Sequence, residues 1–178
     1  MESGRKDARD FALGGVFGAC ALLLPFLFHL VQLGRVFMPM YLPLVTLAFL
    51  VRPRVAGATA VLCPVLSGTL SGMPPLYPPI APIMSLELGL MAWIISVCAT
   101  RWPKANPWLI LIPTLALGRA LNLGLIYVSA LLMELPAGFM AGASLLAGWP
   151  GILLIVATVP PLVRLVGRAF HGHEEQPT

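Results

Sequence analysis

The sequence predicts an all-α, polytopic membrane protein of about six transmembrane helices with both termini on the cytoplasmic side (N-in/C-in). Three observations carry this. Of 178 residues, 58% are hydrophobic and only 10% are charged, whereas a soluble domain carries about a quarter charged residues. The apolar residues gather into six stretches, and the basic residues lie between alternate stretches. By the positive-inside rule, the side that collects the lysines and arginines is cytoplasmic.

The first stretch, about 11–31, follows a charged segment with Arg5, Lys6 and Arg9. No small-residue cleavage site lies at signal-peptide distance, so it is expected to remain as a helix. Gly14-x-x-x-Gly18 and Gly15-x-x-x-Ala19 overlap in its cytoplasmic half. Small residues four apart make a flat strip that lets a second helix backbone approach closely. That helix belongs either to this chain or to a partner subunit. The second stretch, about 38–51, falls short of the roughly 20 residues a span needs. Pro39 and Pro43 near its start predict an irregular entry buried in protein, where such backbone is tolerated at membrane depth.

Arg52 and Arg54 precede the third stretch, about 55–72. The following Gly72-Met73-Pro74-Pro75-Leu76-Tyr77-Pro78-Pro79 predicts a rigid, extended outer loop, because proline fixes φ and biases the preceding residue away from helix. The fourth stretch, about 81–100, ends at Arg101 and Lys104, and the fifth covers about 107–131. After a connection holding Glu134, Pro136, Gly138 and Gly142 comes the sixth, about 143–166, closed by Arg164 and Arg168. Trp149-Pro150-Gly151 predicts a kink in this last helix. The expected organisation is a cytoplasmic segment 1–10, a membrane domain 11–168 and a cytoplasmic tail 169–178. Nine of the eleven basic residues fall at the cytoplasmic ends; an odd helix count would break that alternation.

Setting aside those topology charges and the polar tails leaves Arg35, Glu87, Arg119 and Glu134. A charge near the bilayer centre costs about 2.5–3.5 kcal/mol on insertion scales and normally faces a partner or a wet cavity. Arg119 lies mid-helix in the fifth stretch and shares a face with Asn122; Glu87 lies in the outer half of the fourth. They fit either a structural Arg119–Glu87 ion pair or the lining of a substrate pocket, and one pair can do both. Arg35 and Glu134 sit at the outer boundary, either anchoring by snorkelling or rimming an outward pocket. Tyr41 and Tyr77 are expected on the same side, by default in an aromatic belt.

The basic residues form no stripe of the kind nucleic acid needs. Cys20, Cys63 and Cys98 have no metal or redox spacing, and His171 and His173 read as part of a solvated tail. No nucleophile–base arrangement, nucleotide-binding loop or carboxylate cluster is present, so no catalytic residue, metal or cofactor is expected.

Phe37-Met38-Pro39-Met40-Tyr41-Leu42-Pro43, then Gly72 to Pro78, Met84-Ser85-Leu86-Glu87-Leu88, Leu117-Gly118-Arg119 and Leu145-Leu146-Ala147-Gly148-Trp149-Pro150-Gly151-Ile152 resemble, in order and spacing, the substrate-binding S components of energy-coupling factor (ECF) transporters. The resemblance covers roughly 11–166. It implies a non-enzymatic, multi-pass protein of a prokaryotic cytoplasmic membrane that binds a vitamin or related small molecule near its extracytoplasmic face. It also implies a transmembrane coupling subunit and two ATPase subunits as partners. Docking would map to Gly14, Gly15, Gly18 and Ala19, where the family pattern has alanines. Glu87, Arg119 and Asn122 would lie in or below the pocket, with the loop near Tyr77 as a lid. Tyr41 stands where related sequences often carry histidine; it hydrogen-bonds but forms no cation at neutral pH. The alternatives are a non-transport membrane scaffold or assembly subunit and, less favoured, a small membrane enzyme acting on lipid.

Overall fold

A computed structural model of the chain describes residues 2–30, 38–77, 79–134 and 148–171, together with Pro136, Gly138 and Gly142. Arg35 and residues 143–147 lie outside the described residues. Among the described residues six helices follow in order: α1 (Glu2–Leu30), α2 (Tyr41–Ala48), α3 (Pro53–Ser71), α4 (Ile80–Arg101), α5 (Pro107–Leu132) and α6 (Trp149–His171). All but α2 are long and apolar enough to cross a membrane, which is the build of a multi-pass membrane protein.

Helix ends follow from local chemistry. Arg52 is extended before Pro53, which fills a first-turn position whose N–H would have no helical acceptor. Gly72 closes α3 in the left-handed region, at φ 70°, with its N–H on the Gly68 carbonyl; a C′ glycine adopts this conformation without Cβ strain. Asn106 caps α5, its side-chain oxygen accepting the Trp108 N–H at 3.3 Å, with Pro107 next in sequence. The same rule corrects one expectation. Pro150 lies in the first turn of α6, so Trp149-Pro150-Gly151 starts that helix instead of kinking it.

Among the described residues five helices are long enough to span, and α2, at the second stretch, is short, as its length in the sequence suggests. Eight residues rise only about 12 Å, well under the roughly 30 Å hydrocarbon core. Seven of the eight residues of α2 are buried, packed among α1, α3, α4 and α6. Its backbone is therefore satisfied inside protein, as the paired prolines predicted. Met38, at φ 45°, and the Tyr41 N–H bond to the Met38 carbonyl at 3.0 Å turn the chain into it.

Contacts fix the relative directions. Arg52, at the start of α3, pairs with Asp7 and Asp10 near the start of α1; its Nε lies 2.9 Å from Asp10 Oδ2. Further along the same seam, Gly14 faces Val55 and Thr59, and Gly18 faces Thr59 and Cys63. Thus α1 and α3 run parallel. Ser96, late in α4, donates to the Val51 carbonyl at 2.5 Å, and Arg164, late in α6, donates to Asn106 at the start of α5 at 3.1 Å. The helix ends that carry the basic residues are thereby gathered at one end of the bundle.

Glycines set the close approaches. A Cβ on Gly118 would run into the Met91 thioether across the α4–α5 seam, and one on Gly68 would come within 2.8 Å of the Pro74 carbonyl oxygen. The latter contact folds the proline-rich loop back onto α3, where Ser67 also donates to the Met73 carbonyl at 2.6 Å. The loop is therefore turned and tied down, not the extended span the sequence predicts. Only 17% of the apolar window of α1 is buried, so most of that helix presents its side chains outward, the arrangement that suits lipid contact.

Candidate functional site

The buried face of α4 runs Ile83, Glu87, Met91, Ile95, and that of α5 runs Thr114, Gly118, Asn122, Ile126, Ala130. Both are i, i+4 stripes that put Glu87 and Asn122 on the same inner surface as their apolar neighbours. Gly118, by admitting Met91, brings the two helices close one turn below Asn122. Tyr41, the first residue of α2, enters from the third side. The Tyr41 hydroxyl donates to Glu87 Oε2 at 2.5 Å and the Asn122 amide donates to the same oxygen at 2.6 Å. Glu87 is 1% exposed, Tyr41 4% and Asn122 4%.

This cluster differs in kind from three other buried hydroxyls on the helices. Thr46, Ser85 and Thr114 donate to carbonyls four residues back in their own helices, at 2.7, 3.0 and 2.7 Å. Such bonds satisfy a hydroxyl locally and carry no tertiary information. Glu87, by contrast, draws donors from two other helices. An ionised carboxylate in this setting depends on such bonds, since leaving a buried charge unsatisfied costs several kcal/mol.

Arg119 lies three residues before Asn122 and is half-buried. The ion pair with Glu87, one of the two readings the sequence leaves open, is not formed: the carboxylate is held by Tyr41 and Asn122, and Arg119 acts on it and on Tyr41 through its charge. The physical reason is spacing. Residues three apart share a face but are offset by about 60° around the helix and about 4.5 Å along it, and Asn122 is the one that meets Glu87. The Arg119 Nη2 instead approaches the Met38 thioether at 3.7 Å, a weak acceptor. Among the described residues its buried Nε has no hydrogen-bond partner. Gly148, at the start of α6, packs so closely that a Cβ there would coincide with the guanidinium. A buried unmade donor costs roughly 1–3 kcal/mol, so among the described residues this cation lacks its full set of partners.

Of the residues expected to bind substrate, the structure brings Tyr41, Glu87 and Asn122 into one hydrogen-bonded set with Arg119 beside it. Tyr41 lies in the interior, not in an interfacial belt. Tyr77 is 77% exposed on the α3–α4 loop, away from this set. Arg35 lies outside the described residues. Glu134 sits exposed just past α5, in the left-handed region. Met38 and Gly148 were not singled out from sequence, although both fall inside quoted motifs; their role depends on contacts with a residue far away in the chain. Among the described residues no three His, Cys, Asp or Glu side chains come together to hold a metal.

The four small residues of α1 divide between two faces. Gly14 and Gly18 are covered by the chain's own α3, with Val55 Cγ1 3.1 Å and Thr59 Cγ2 3.3 Å from where a Cβ would stand. Gly15 has nothing within 4 Å of that position, and Ala19 is exposed. Among the described residues Gly15 and Ala19 thus stay open on α1, while Gly14 and Gly18 lie in the internal seam.

No family model, curated protein or solved structure matches the chain.

Proposed function

We propose that the chain is the membrane-embedded substrate-binding subunit of an ECF-type importer, capturing a vitamin or related micronutrient on the extracytoplasmic side of a prokaryotic cytoplasmic membrane. The observation that carries this reading is the buried polar set on α2, α4 and α5, with the Arg119 cation at its edge. Seven residues separate Glu87 from the start of α4, a rise of about 10 Å, while the basic end lies a further fourteen residues away at Arg101. With the basic end cytoplasmic, by the positive-inside rule, the set sits toward the outer leaflet, where an importer meets its substrate. The six-crossing, N-in/C-in arrangement belongs to this proposal. A lone carboxylate held by two neutral donors, with no nucleophile beside it, suits recognition better than bond making. Transport energy would come from a transmembrane coupling subunit and two ATPase subunits, with Gly15 and Ala19 as the docking strip. The test is thermal stabilisation of the purified chain by a panel of micronutrients, lost in Arg119→Ala.

The second reading, a scaffold or assembly subunit, is favoured by one feature: Tyr41 and Asn122 already occupy Glu87 Oε2, as a purely structural lock would require. A folded sample that no micronutrient stabilises, and in which Arg119→Ala alters only stability, would favour the scaffold.

A further inference from the structure

At the basic end of the bundle, α5 and α6 leave an open groove of about 380 Å³, lined by Trp108, Ala157, Pro161, Arg164 and Leu165. Ala157, Pro161 and Leu165 repeat every four residues, so they form one stripe along α6, about 12 Å long. Leu165 is 67% exposed. Trp108 forms the opposite wall. Arg164 stands at the end of the stripe nearer the bundle's end, its Nη2 on the Asn106 side chain at 3.1 Å. That amide oxygen is neutral, and among the described side chains Arg164 has no carboxylate partner; Asp7 and Asp10 at this end pair with Arg52. The groove thus sets an apolar stripe beside polar surface, with a positive charge at its mouth.

We infer that this groove holds an anionic phospholipid, with its phosphate against Arg164 and the start of an acyl chain along Ala157, Pro161 and Leu165. The charge pattern selects an amphiphile over either half alone. A free anion would leave the stripe and the Trp108 wall bare, and a neutral lipid would leave the guanidinium without a counter-charge. Basic sites between helix ends at the membrane surface suit such headgroups, because the phosphate is drawn by the cation while the chain stays in hydrocarbon. The inference depends on the bundle standing in a membrane and not on what the Glu87 set binds.

The test is native mass spectrometry of the full chain released from detergent containing phosphatidylglycerol or phosphatidylcholine with matched acyl chains. The expected result is one retained phosphatidylglycerol, with phosphatidylcholine retained at least severalfold less. Arg164→Gln should weaken that retention about fivefold, from the roughly 1 kcal/mol that one basic residue contributes near an anionic surface, and Arg164→Lys should restore most of it. Arg101→Gln, which removes the same charge from the same end but outside the groove, should leave retention unchanged. Ala157→Trp, which fills the groove from an exposed position, should abolish it. Equal retention of the two lipids would overturn the inference. So would equal losses in Arg164→Gln and Arg101→Gln, which would mean diffuse attraction. Stabilisation by inorganic phosphate alone, matching that by phosphatidylglycerol, would also overturn it in favour of a simple anion site.

Discussion

Replacing Tyr41 by Phe removes one donor from Glu87 while keeping the ring that fills the start of α2. Because the ring stays, no large cavity opens, and the cost isolates the hydrogen bond. Two magnitudes compete. Side-chain hydrogen bonds between membrane helices average about 0.6 kcal/mol, with a maximum of about 1.7. A bond to a charged group contributes roughly 1.5–3 kcal/mol. Glu87 is 1% exposed and draws donors from both other helices onto one oxygen, the pattern of a carboxylate stabilised by charge-assisted bonds. The expected cost is therefore about 1.5–3 kcal/mol, a shift of roughly 10- to 150-fold in the unfolding equilibrium. The assay is unfolding by sodium dodecyl sulfate in mixed micelles, followed by circular dichroism, with Tyr41→Phe measured alone and in Glu87→Gln. In the Gln background the same change should cost only about 0.6 kcal/mol, and the difference is the coupling energy. A cost near 0.6 kcal/mol in both backgrounds would show that Glu87 carries no charge worth stabilising, and would refute the reasoning.

Other perturbations follow from the same contacts. Gly148→Ala places a methyl on the Arg119 guanidinium and should cost about 1–3 kcal/mol by overpacking, read in the same unfolding assay, with loss of any micronutrient-induced thermal shift. Gly18→Leu should lower the melting temperature in detergent by forcing α1 from Thr59, whereas Gly15→Leu, with open space around it, should leave it unchanged. If Gly15 serves docking, Gly15→Leu should also reduce copurification with a coupling subunit. Asp10→Ala removes the acceptor for both the Nε and the backbone N–H of Arg52 and should cost about 1 kcal/mol, again in mixed micelles. In a cysteine-free background, Tyr77→Cys should react with a membrane-impermeant maleimide on intact cells, and Arg54→Cys only after the membrane is broken; the reverse pattern would invert the proposed orientation.

Much of the bundle is legible in the sequence because the bilayer leaves charges few places to go. Arg52, Arg101 and Arg164 mark helix ends since mid-membrane positions cost so much, and contacts with Asp10, Val51 and Asn106 gather those ends together. Glu87, Arg119 and Asn122 stand out for the same reason, as polar exceptions in apolar runs. Their pairing does not follow from sequence. Whether Arg119 or Asn122 faces Glu87 depends on a rotation of α5 by less than one turn, set by the Gly118–Met91 contact. The depth of Tyr41 depends on the turn at Met38, whose φ of 45° is uncommon for a side-chain-bearing residue. The small-residue strip on α1 likewise announces a close helix contact without saying which helix makes it. Gly14 and Gly18 prove to face α3. Gly148 meets Arg119 from a separate helix, and a Gly-Trp-Pro sequence alone gives no hint of that neighbour.

The central claim is that the polar set of Tyr41, Glu87, Asn122 and Arg119 receives a small water-soluble ligand. Mass spectrometry of the chain purified gently from native membranes tests it most directly. The predicted result is one small micronutrient retained per chain, depleted in Arg119→Ala and in Glu87→Gln under the same conditions. A folded wild-type sample that retains none, and that no member of a broad vitamin panel stabilises on addition, would contradict it.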